Sequence, residues 1–499
     1  MTWAIIRGGR LLDVRAHLAN PADVLLEDAI IREIGAPDMA APEGAIQIDA
    51  RDRLLLPGLV NAHTHAHGAL AKGTVSDRVV LETFLTSVAA TTGHRNLEEK
   101  YLSAQLSAIE MIRKGCTAAY DLFVEYPVPS AEGVYAVARA YSDVGMRAVI
   151  APMMADRTLW EALPGLMESL PEDVRAQVER VRAAPHEASL EACRGILRSW
   201  PFDRSLVRPA LGPTIPLHCT DAFLTACGDL AREFDVALQT HLAETRTQAV
   251  LGRQKYGGKT LTAHLGDLGL LGPRFSAAHA IWLDGDDIAR LADAGARVAH
   301  NPLSNLRLGS GVAPVRLMRG RGLRVGIGTD SVSTSDTQNM FEATRLASYI
   351  SRILSAATTD WLTADEVLEM ATSGSAGVLG MDDCIGRLAP GYRADIVFLD
   401  LSHIGYIPLN DVTLQIVNGE SGAAVDKVMI DGRMVLEHGH LLTVDEAKVR
   451  ADAERAVARL KAANAGDLAF ARSLERYVAA FCIAHAKQPT DIRRTVQAE

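Results

Sequence analysis

"LPGLVNAHTHAHG", Leu56 to Gly68, is an apolar entry followed by three histidines at alternate positions, His63, His65 and His67. On a β-strand alternate side chains share a face. Leu59, Asn61, His63, His65 and, if the strand runs that far, His67 are therefore expected to point one way. In a barrel of parallel strands that face is the interior, and the carboxyl end of each strand is where reactive groups gather. Two imidazoles at one strand end can share a metal ion; a pair of hydrogen-bonded histidines is the plainer alternative. Other strand ends must decide between the two.

They repeat the pattern. "VALQTHLAE" ends with His241 and, three residues on, Glu244; "FSAAHAIWL" carries His279, "ARVAHNPLS" His300, and "LRVGIGTDS" ends with Asp330. Upstream, "TAAYDLF", "MRAVIAPMM" and "LVRPALGPT" complete a set of eight strand-like runs. Helical patterns such as "NLEEKYLSAQLSAIEMIRKG" and "DDIARLADAG" separate most of them. This alternation predicts a parallel sheet, and eight units predict an α/β fold of the (β/α)8 barrel type. An open doubly wound sheet is the alternative, weakened by the lack of a GxGxxG turn after the first strand. In the eighth run Gly326, Gly328 and Asp330 share one face and Val325 and Ile327 the other. Small residues are thus expected inside and branched ones against the helices.

The flanks read differently. "WAIIRGGRLLD" and "AIQIDARDRLLL" at one end, and "GYRADIVFLDL" and "VDKVMIDGRMVLEHGHLL" at the other, are short strands, with a turn expected at Asp431-Gly432. Residues 1–56 and 383–443 are expected to build one composite β-sandwich and 57–382 the barrel. Residues 444–499 form an extension, helical to about residue 485, with one solvated and one packing face.

Bulk properties bound the function. A 499-residue chain supports two or three structural units. Its net charge of −10 and lack of a basic run argue against a nucleic-acid partner. The six cysteines are scattered with no CxxC pair, which predicts a reducing, cytoplasmic setting. No signal peptide is legible at the N-terminus, and no run is long enough to span a membrane.

His63, His65, His241 and Asp330 offer three nitrogens and one oxygen. That set suits one Zn2+ or Fe2+ and not Ca2+. A catalytic metal keeps a place for water and lowers that water's pKa. Asp330 could both touch the metal and take the proton. Glu244 is out of strand phase with His241, so the chain must turn and aim its carboxyl at a substrate; the alternative is a helix-terminal carboxylate. His279 could donate a hydrogen bond to a developing oxygen.

"LPGLVNAHTHAHG", "THLAE", "AAHAIWLD", "AHNPLSNLRLGSG", "VGIGTDS" and "IGRLAPGYRADIVFLDL" together resemble the amidohydrolase superfamily, in particular its cytosine deaminase and chlorohydrolase-like branch, over roughly residues 1–445. The resemblance implies a mononuclear metal held by His63, His65, His241 and Asp330. It further implies an acid/base role for Glu244, contact of His279 with substrate or water, and a homodimer or larger assembly. No lysine stands at the end of the fourth strand to bridge two metals. Two segments depart from the branch. "LGPTIPLHC" has Thr214 where nucleoside-type deaminases carry a histidine, with His218 four residues later. "TDSVSTSDTQNM" places Ser331, Ser335 and Asp336 on the rim. His67, Asp156, Arg157, Arg208, His218 and Ser331 are the candidates for substrate contact, and His300 is read as shaping the site. The expected activity is hydrolytic deamination of a small nitrogen heterocycle with ammonia release. The same site could instead expel an alkylamine, a halide, or the amine of an amide or urea. An inactive binding barrel would be expected to have lost ligands or Glu244, and all are present.

Overall fold

The computed structural model describes residues 2–494; the last five residues of the extension read at 444–499 lie outside the described residues. Its strands are β1 (Trp3–Asp13), β2 (Leu18–Glu27), β3 (Ile30–Gly35), β4 (Ile46–Asp49), β5 (Arg53–Pro57), β6 (Leu59–His65), β7 (Cys116–Val124), β8 (Arg147–Met154), β9 (Val207–Pro213), β10 (Ala237–Leu242), β11 (Phe275–His279), β12 (Arg297–His300), β13 (Arg324–Ile327), β14 (Asp330–Ser331), β15 (Ile396–Asp400), β16 (Val425–Ile430), β17 (Arg433–Glu437) and β18 (His440–Leu441).

Strands β6 to β13 pair in sequence order, all parallel. The eighth strand is split: β13 pairs with β12, and β14, two residues later, pairs with β6 through Asp330 opposite Thr64 and Ser331 opposite His65. Both edges of the sheet thus belong to one run of chain, and the barrel closes. The helices between strands form the outer layer. Helix Leu97–Arg113 starts at a capping box in which Asn96 and Glu99 satisfy each other's amides. It buries Leu102, Ala108, Ile109 and Ile112 against the barrel.

The interior is small and partly plugged. Val60, Ala118, Tyr120, Leu122, Val149, Ala151 and Ala210 meet Ala376 and Leu379 of the segment after the barrel. Gly326 shows why that segment fits: a Cβ there would lie 2.7 Å from the Ser375 Cα. Val325 and Ile327 face the outer shell, as the alternation predicts.

Strict alternation fails in β6. The register against β7 slips between Asn61 and Thr64, a β-bulge with one extra residue on β6. Leu59 joins the outer shell and Asn61 reaches Met111 of the outer helix, while Val60 faces inward. After the bulge His63 and His65 face the interior. The strand ends at His65, and His67 sits on a short 3-10 turn, Ala66–Ala71.

The flanking strands form one mixed sheet in the order β18-β17-β16-β15-β5-β1-β2-β3, with β4 on β1. The antiparallel β5–β15 pair joins the two chain ends. Val24, Leu26 and Ile31 close over Leu55, Ile396, Phe398 and Met429 as its core. The hairpin between β16 and β17 turns at Asp431 and Gly432, both at positive φ (55° and 73°). Two helices follow, Glu446–Ala463 and Ala465–Ala486. The second packs along helices Leu81–Thr92 and Arg246–Lys255. Among the described residues no helix is long and apolar enough to cross a membrane.

Candidate active site

His63 and His65 from β6, His241 from β10, His279 from β11 and Asp330 from β14 converge at the carboxyl end of the barrel, all buried. The turns that deliver them are strained. Ala243, between His241 and Glu244, has φ +47°; His279 has +67°, Ala280 +51° and Asp330 +63°. Such conformations cost about 1–3 kcal/mol each and persist where the surroundings enforce them. The turn at Ala243 swings Glu244 out of the strand, as its phase requires. A Cβ at Gly328 would lie 2.8 Å from the His63 carbonyl oxygen, so the absent side chain lets the split strand press against β6.

The four rings are oriented alike. His65 Nδ1 donates to the Leu122 carbonyl and His241 Nδ1 to the Thr214 carbonyl, each at 2.7 Å. His63 Nδ1 lies 2.6 Å from Gln239 Oε1, and His279 Nδ1 2.8 Å from Asn305 Oδ1. Every Nδ1 proton is thereby committed to the protein, and every Nε2 is left as a lone pair aimed inward. This is the outer shell that metal-binding imidazoles carry. His63 Nε2 has no hydrogen-bond partner. His65 Nε2 and His241 Nε2 face each other at 3.0 Å. Two lone pairs so placed repel unless a cation lies between them.

Asp330 completes the set. Its Oδ1 is 3.3 Å from His63 Nε2 and 3.2 Å from His65 Nε2; Oδ2 is 4.0 Å from His279 Nε2. Burial works against its charge, but His63 and His65 outweigh it and hold the carboxyl well below the usual range. Burial lowers the pKa of His63 and His241, and that of His279 to about 4, whereas at His65 burial is outweighed by the Asp330 carboxylate, which raises it. An ionised carboxylate and neutral imidazoles are the states a divalent metal needs. Two sets of four donors can be drawn. His63, His241, His279 and Asp330 all lie within 4.8 Å of one another. With His65 in place of His279, three of the six edges, at 3.0–3.3 Å, are near the roughly 3.3 Å expected between ligands about 2.0–2.1 Å from a tetrahedral ion.

Glu244 stands beside this cluster, its Oε2 3.5 Å from His279 Nε2 and its Oε1 without a partner. Burial, then the nearby Asp330 and Glu82 charges, push its pKa well above the ordinary value. The shift favours its protonated form. His279, with its Nδ1 proton on Asn305, presents an acceptor at Nε2. The donor role expected of it therefore requires it to take a proton first.

The remaining candidates divide. His67 is buried with its ring 5.3 Å from that of His65, and the Val124 amide points at its Nδ1. His218 lies at the same end in the turn Pro216–His218, and burial lowers it to about 4. Ser331 flanks Asp330, but its hydroxyl pairs with Ser333 and caps the next turn. Asp156 is tied to the amide and hydroxyl of Thr220, bracing a helix start. The Arg157 amide bonds the His218 carbonyl. Arg208 is a correction: it is the second residue of β9, at the opposite end, and donates to the Gly380 and Arg204 carbonyls. Strand direction, which puts the reactive end at the carboxyl terminus, rules it out. His300 is buried in β12, beside His279, and burial lowers it to about 3.

The outer shell was not read from sequence. Gln239 is two residues before His241, hence on its face, and alternation could have found it. Asn305 sits on a helix after β12, where no strand rule applies. Leu122 and Thr214 act through carbonyls, which carry no side-chain signal.

The amidohydrolase family profile matches residues 54–435. A 5-methylthioadenosine/S-adenosylhomocysteine deaminase of Syntrophomonas wolfei is 33% identical over 443 residues, covering 88% of this chain and 94% of that one. A 5'-deoxyadenosine deaminase of Methanothermobacter thermautotrophicus is 33% identical over 457 residues, covering 91% and 98%. Among solved structures, an adenosine deaminase from Xanthomonas campestris with bound zinc superposes with a TM-score of 0.80 at 26% identity, covering 92% and 98%. An atrazine chlorohydrolase from Arthrobacter aurescens TC1 complexed with zinc does so with 0.79 at 26%, covering 91% and 100%. With this fold, this donor set and these relatives, the chain belongs to the amidohydrolase family and is a metal-dependent hydrolase acting on carbon–nitrogen bonds.

Proposed function

We propose that this chain hydrolytically deaminates a small nitrogen heterocycle, using one divalent metal, Zn2+ in the first instance, held by His63, His65, His241 and Asp330. The observation that carries the reading is the facing pair of Nε2 lone pairs on His65 and His241, both with Nδ1 committed elsewhere, beside the orphaned Nε2 of His63. When bound, the ion supplies a Lewis acid that readies water for attack on an sp2 carbon at neutral pH. The rest is done by the chain. Asp330, ionised, accepts the proton that water loses. Glu244, buried and protonated, gives its proton to the ring nitrogen beside the attacked carbon. The proton held by Asp330 passes to the exocyclic nitrogen, which leaves as ammonia, and the added hydroxyl returns its proton to Glu244 as it becomes the ring carbonyl. His279, bracketed by Asn305 and Glu244, orients the carboxyl and can carry its proton. Burial of the whole cluster excludes bulk water. The relatives' activities, deamination of 5-methylthioadenosine/S-adenosylhomocysteine and of 5'-deoxyadenosine, support the reaction class.

A second reading rests on the likeness to the atrazine chlorohydrolase and on the departures at Thr214 and Ser331: the same attack would expel a halide or an alkylamine. Ammonia release across aminated purines, pyrimidines, pterins and triazines, on protein of known metal content, tests the choice. Ammonia from one class fixes the reaction. Chloride or alkylamine without ammonia selects the second reading. In Glu244→Gln, turnover should fall about 10²–10⁴-fold with the metal retained; undiminished turnover would remove Glu244 from the mechanism.

A further inference from the structure

A wide groove of about 1230 Å³ lies outside the barrel between helices Leu97–Arg113, Ala131–Val144 and Glu446–Ala463, and none of the site residues borders it. A smaller one of about 190 Å³ is lined by the chain next to the catalytic cluster, without a cluster residue itself bordering it. Its lining includes Glu82, Thr245, Trp282 and Ser310 from the barrel, and Ile483 and Ala486 from the C-terminal helix. Thr245 directly follows Glu244. Whole ligand sites occupy about 300–1,000 Å³, so this cavity is the size of a subsite.

Its polar groups are buried and incompletely used. Glu82 is 2% exposed, and the Thr245 hydroxyl donates to its Oε1. Ser310 is 4% exposed and its Oγ has no partner. The Trp282 indole is fixed by its Nε1 donating to the Ser310 carbonyl at 2.8 Å. A carboxylate, a free hydroxyl and an indole face among aliphatic side chains suit a short, mainly apolar chain that ends in a hydrogen-bond donor.

The helical wall is latched to the loops that carry the site. The Thr247 hydroxyl donates to the Cys482 carbonyl at 3.1 Å, and the Arg246 guanidinium donates to the Gln488 carbonyl. Arg494 donates to the carbonyls of Ile281 (2.8 Å) and Leu283 (2.6 Å), while its own carbonyl accepts from the Val312 amide at 2.8 Å. These contacts hold the segment from both sides, against the loops after β10, β11 and β12.

We propose that the cavity is a second substrate subsite, built jointly by the barrel and the C-terminal helix. It takes a donor-terminated substituent projecting from the heterocycle. Glu82 accepts from the terminal hydroxyl or ammonium, and Ile483 and Ala486 set the permitted length. The inference rests on the deaminase reading for the position of the ring, but its test does not require turnover.

Adenine and melamine, each bare and carrying a propyl, 3-hydroxypropyl or 3-aminopropyl chain, are titrated calorimetrically into zinc-loaded full-length protein and assayed for ammonia. A donor-terminated chain should bind at least tenfold tighter than propyl on one of the rings, and the better terminus tells hydroxyl from ammonium. Glu82→Gln should erase that preference. Ala486→Phe should cut the affinity of all three chains relative to the bare ring by tenfold or more. Identical chain preferences in wild type and both variants would overturn the subsite, as would no gain from any chain in the wild type. Thermal melts confirm that the variants are folded, and Glu82→Gln, nearly isosteric, keeps the test valid if Ala486→Phe is not. Chain-dependent binding without ammonia would uphold the subsite and sink the deaminase reading. Ammonia release indifferent to the chain would do the reverse.

Discussion

Two buried polar clusters occupy opposite ends of the same barrel. At the amino end, Arg147, the first residue of β8, is fully buried and its Nε and Nη2 form a two-pronged pair with Asp395 at 2.8 and 2.9 Å. Nη2 also reaches Asp431 at 2.8 Å, and Arg393 joins the same carboxylate. Burial opposes the charge on Asp431, but the two arginines hold its pKa below the ordinary value. Here the charges are balanced within the chain. At the carboxyl end, His63 Nε2 and Glu244 Oε1 have no partner, two Nε2 lone pairs face each other, and the backbone is strained at Ala243, His279 and Asp330. Buried polar groups are normally satisfied. One cluster obeys and welds the flanking sheet to the barrel. The other departs from the rule in the way the proposed metal and substrate require.

If that contrast is right, breaking the two ends should give opposite phenotypes. The largest effect is expected from Asp330→Asn: turnover lost and metal content sharply reduced, read by elemental analysis, with the fold intact. Arg147→Met should retain metal and lose about 3–5 kcal/mol of stability in denaturant unfolding, because Asp395 is left buried and unpaired. A metal-free Arg147→Met protein would contradict the separation. Stripping the metal from wild type and from Arg147→Met should lower stability by the same amount within about 0.5 kcal/mol, since distant sites add. Gly328→Ala should cost about 1–3 kcal/mol and lower kcat/KM together, since its Cβ presses on the Asn301 side chain and the His63 backbone; a stability loss with unchanged kcat/KM would show that Asn301 and β6 absorb the strain.

The smallest effect concerns a pair outside both clusters. Burial opposes the charge on Glu366, but Arg316, the Thr363 amide and Arg319 pull its pKa from 4.5 to about 2. Its contribution should be complete above about pH 4.5 and fade as the pH falls toward 2. The Tm difference between wild type and Glu366→Gln should therefore be larger at pH 6 than at pH 3. A difference independent of pH would assign the loss to packing.

The sequence alone determined the order and direction of the eight barrel strands and the residues at their carboxyl ends. Both follow from local regularities: apolar runs, strand–helix alternation, and polar residues where each strand stops. Tertiary structure decided the rest. The bulge in β6, which puts His63 and His65 inside while Leu59 and Asn61 turn outward, arises from pairing with β7, 57 and 58 residues away. The split eighth strand closes the barrel through contacts between residues near 64 and 330. The Nδ1 partners that aim the four rings come from other strands, a helix and a loop, two of them as backbone carbonyls. The C-terminal helix, legible only as amphipathic, finds its place over the loops after β10 and β11. Alternation in a sequence reports which residues share a face while a strand is regular. Register, closure and capping depend on partners far along the chain, and those are settled only when the whole core packs at once.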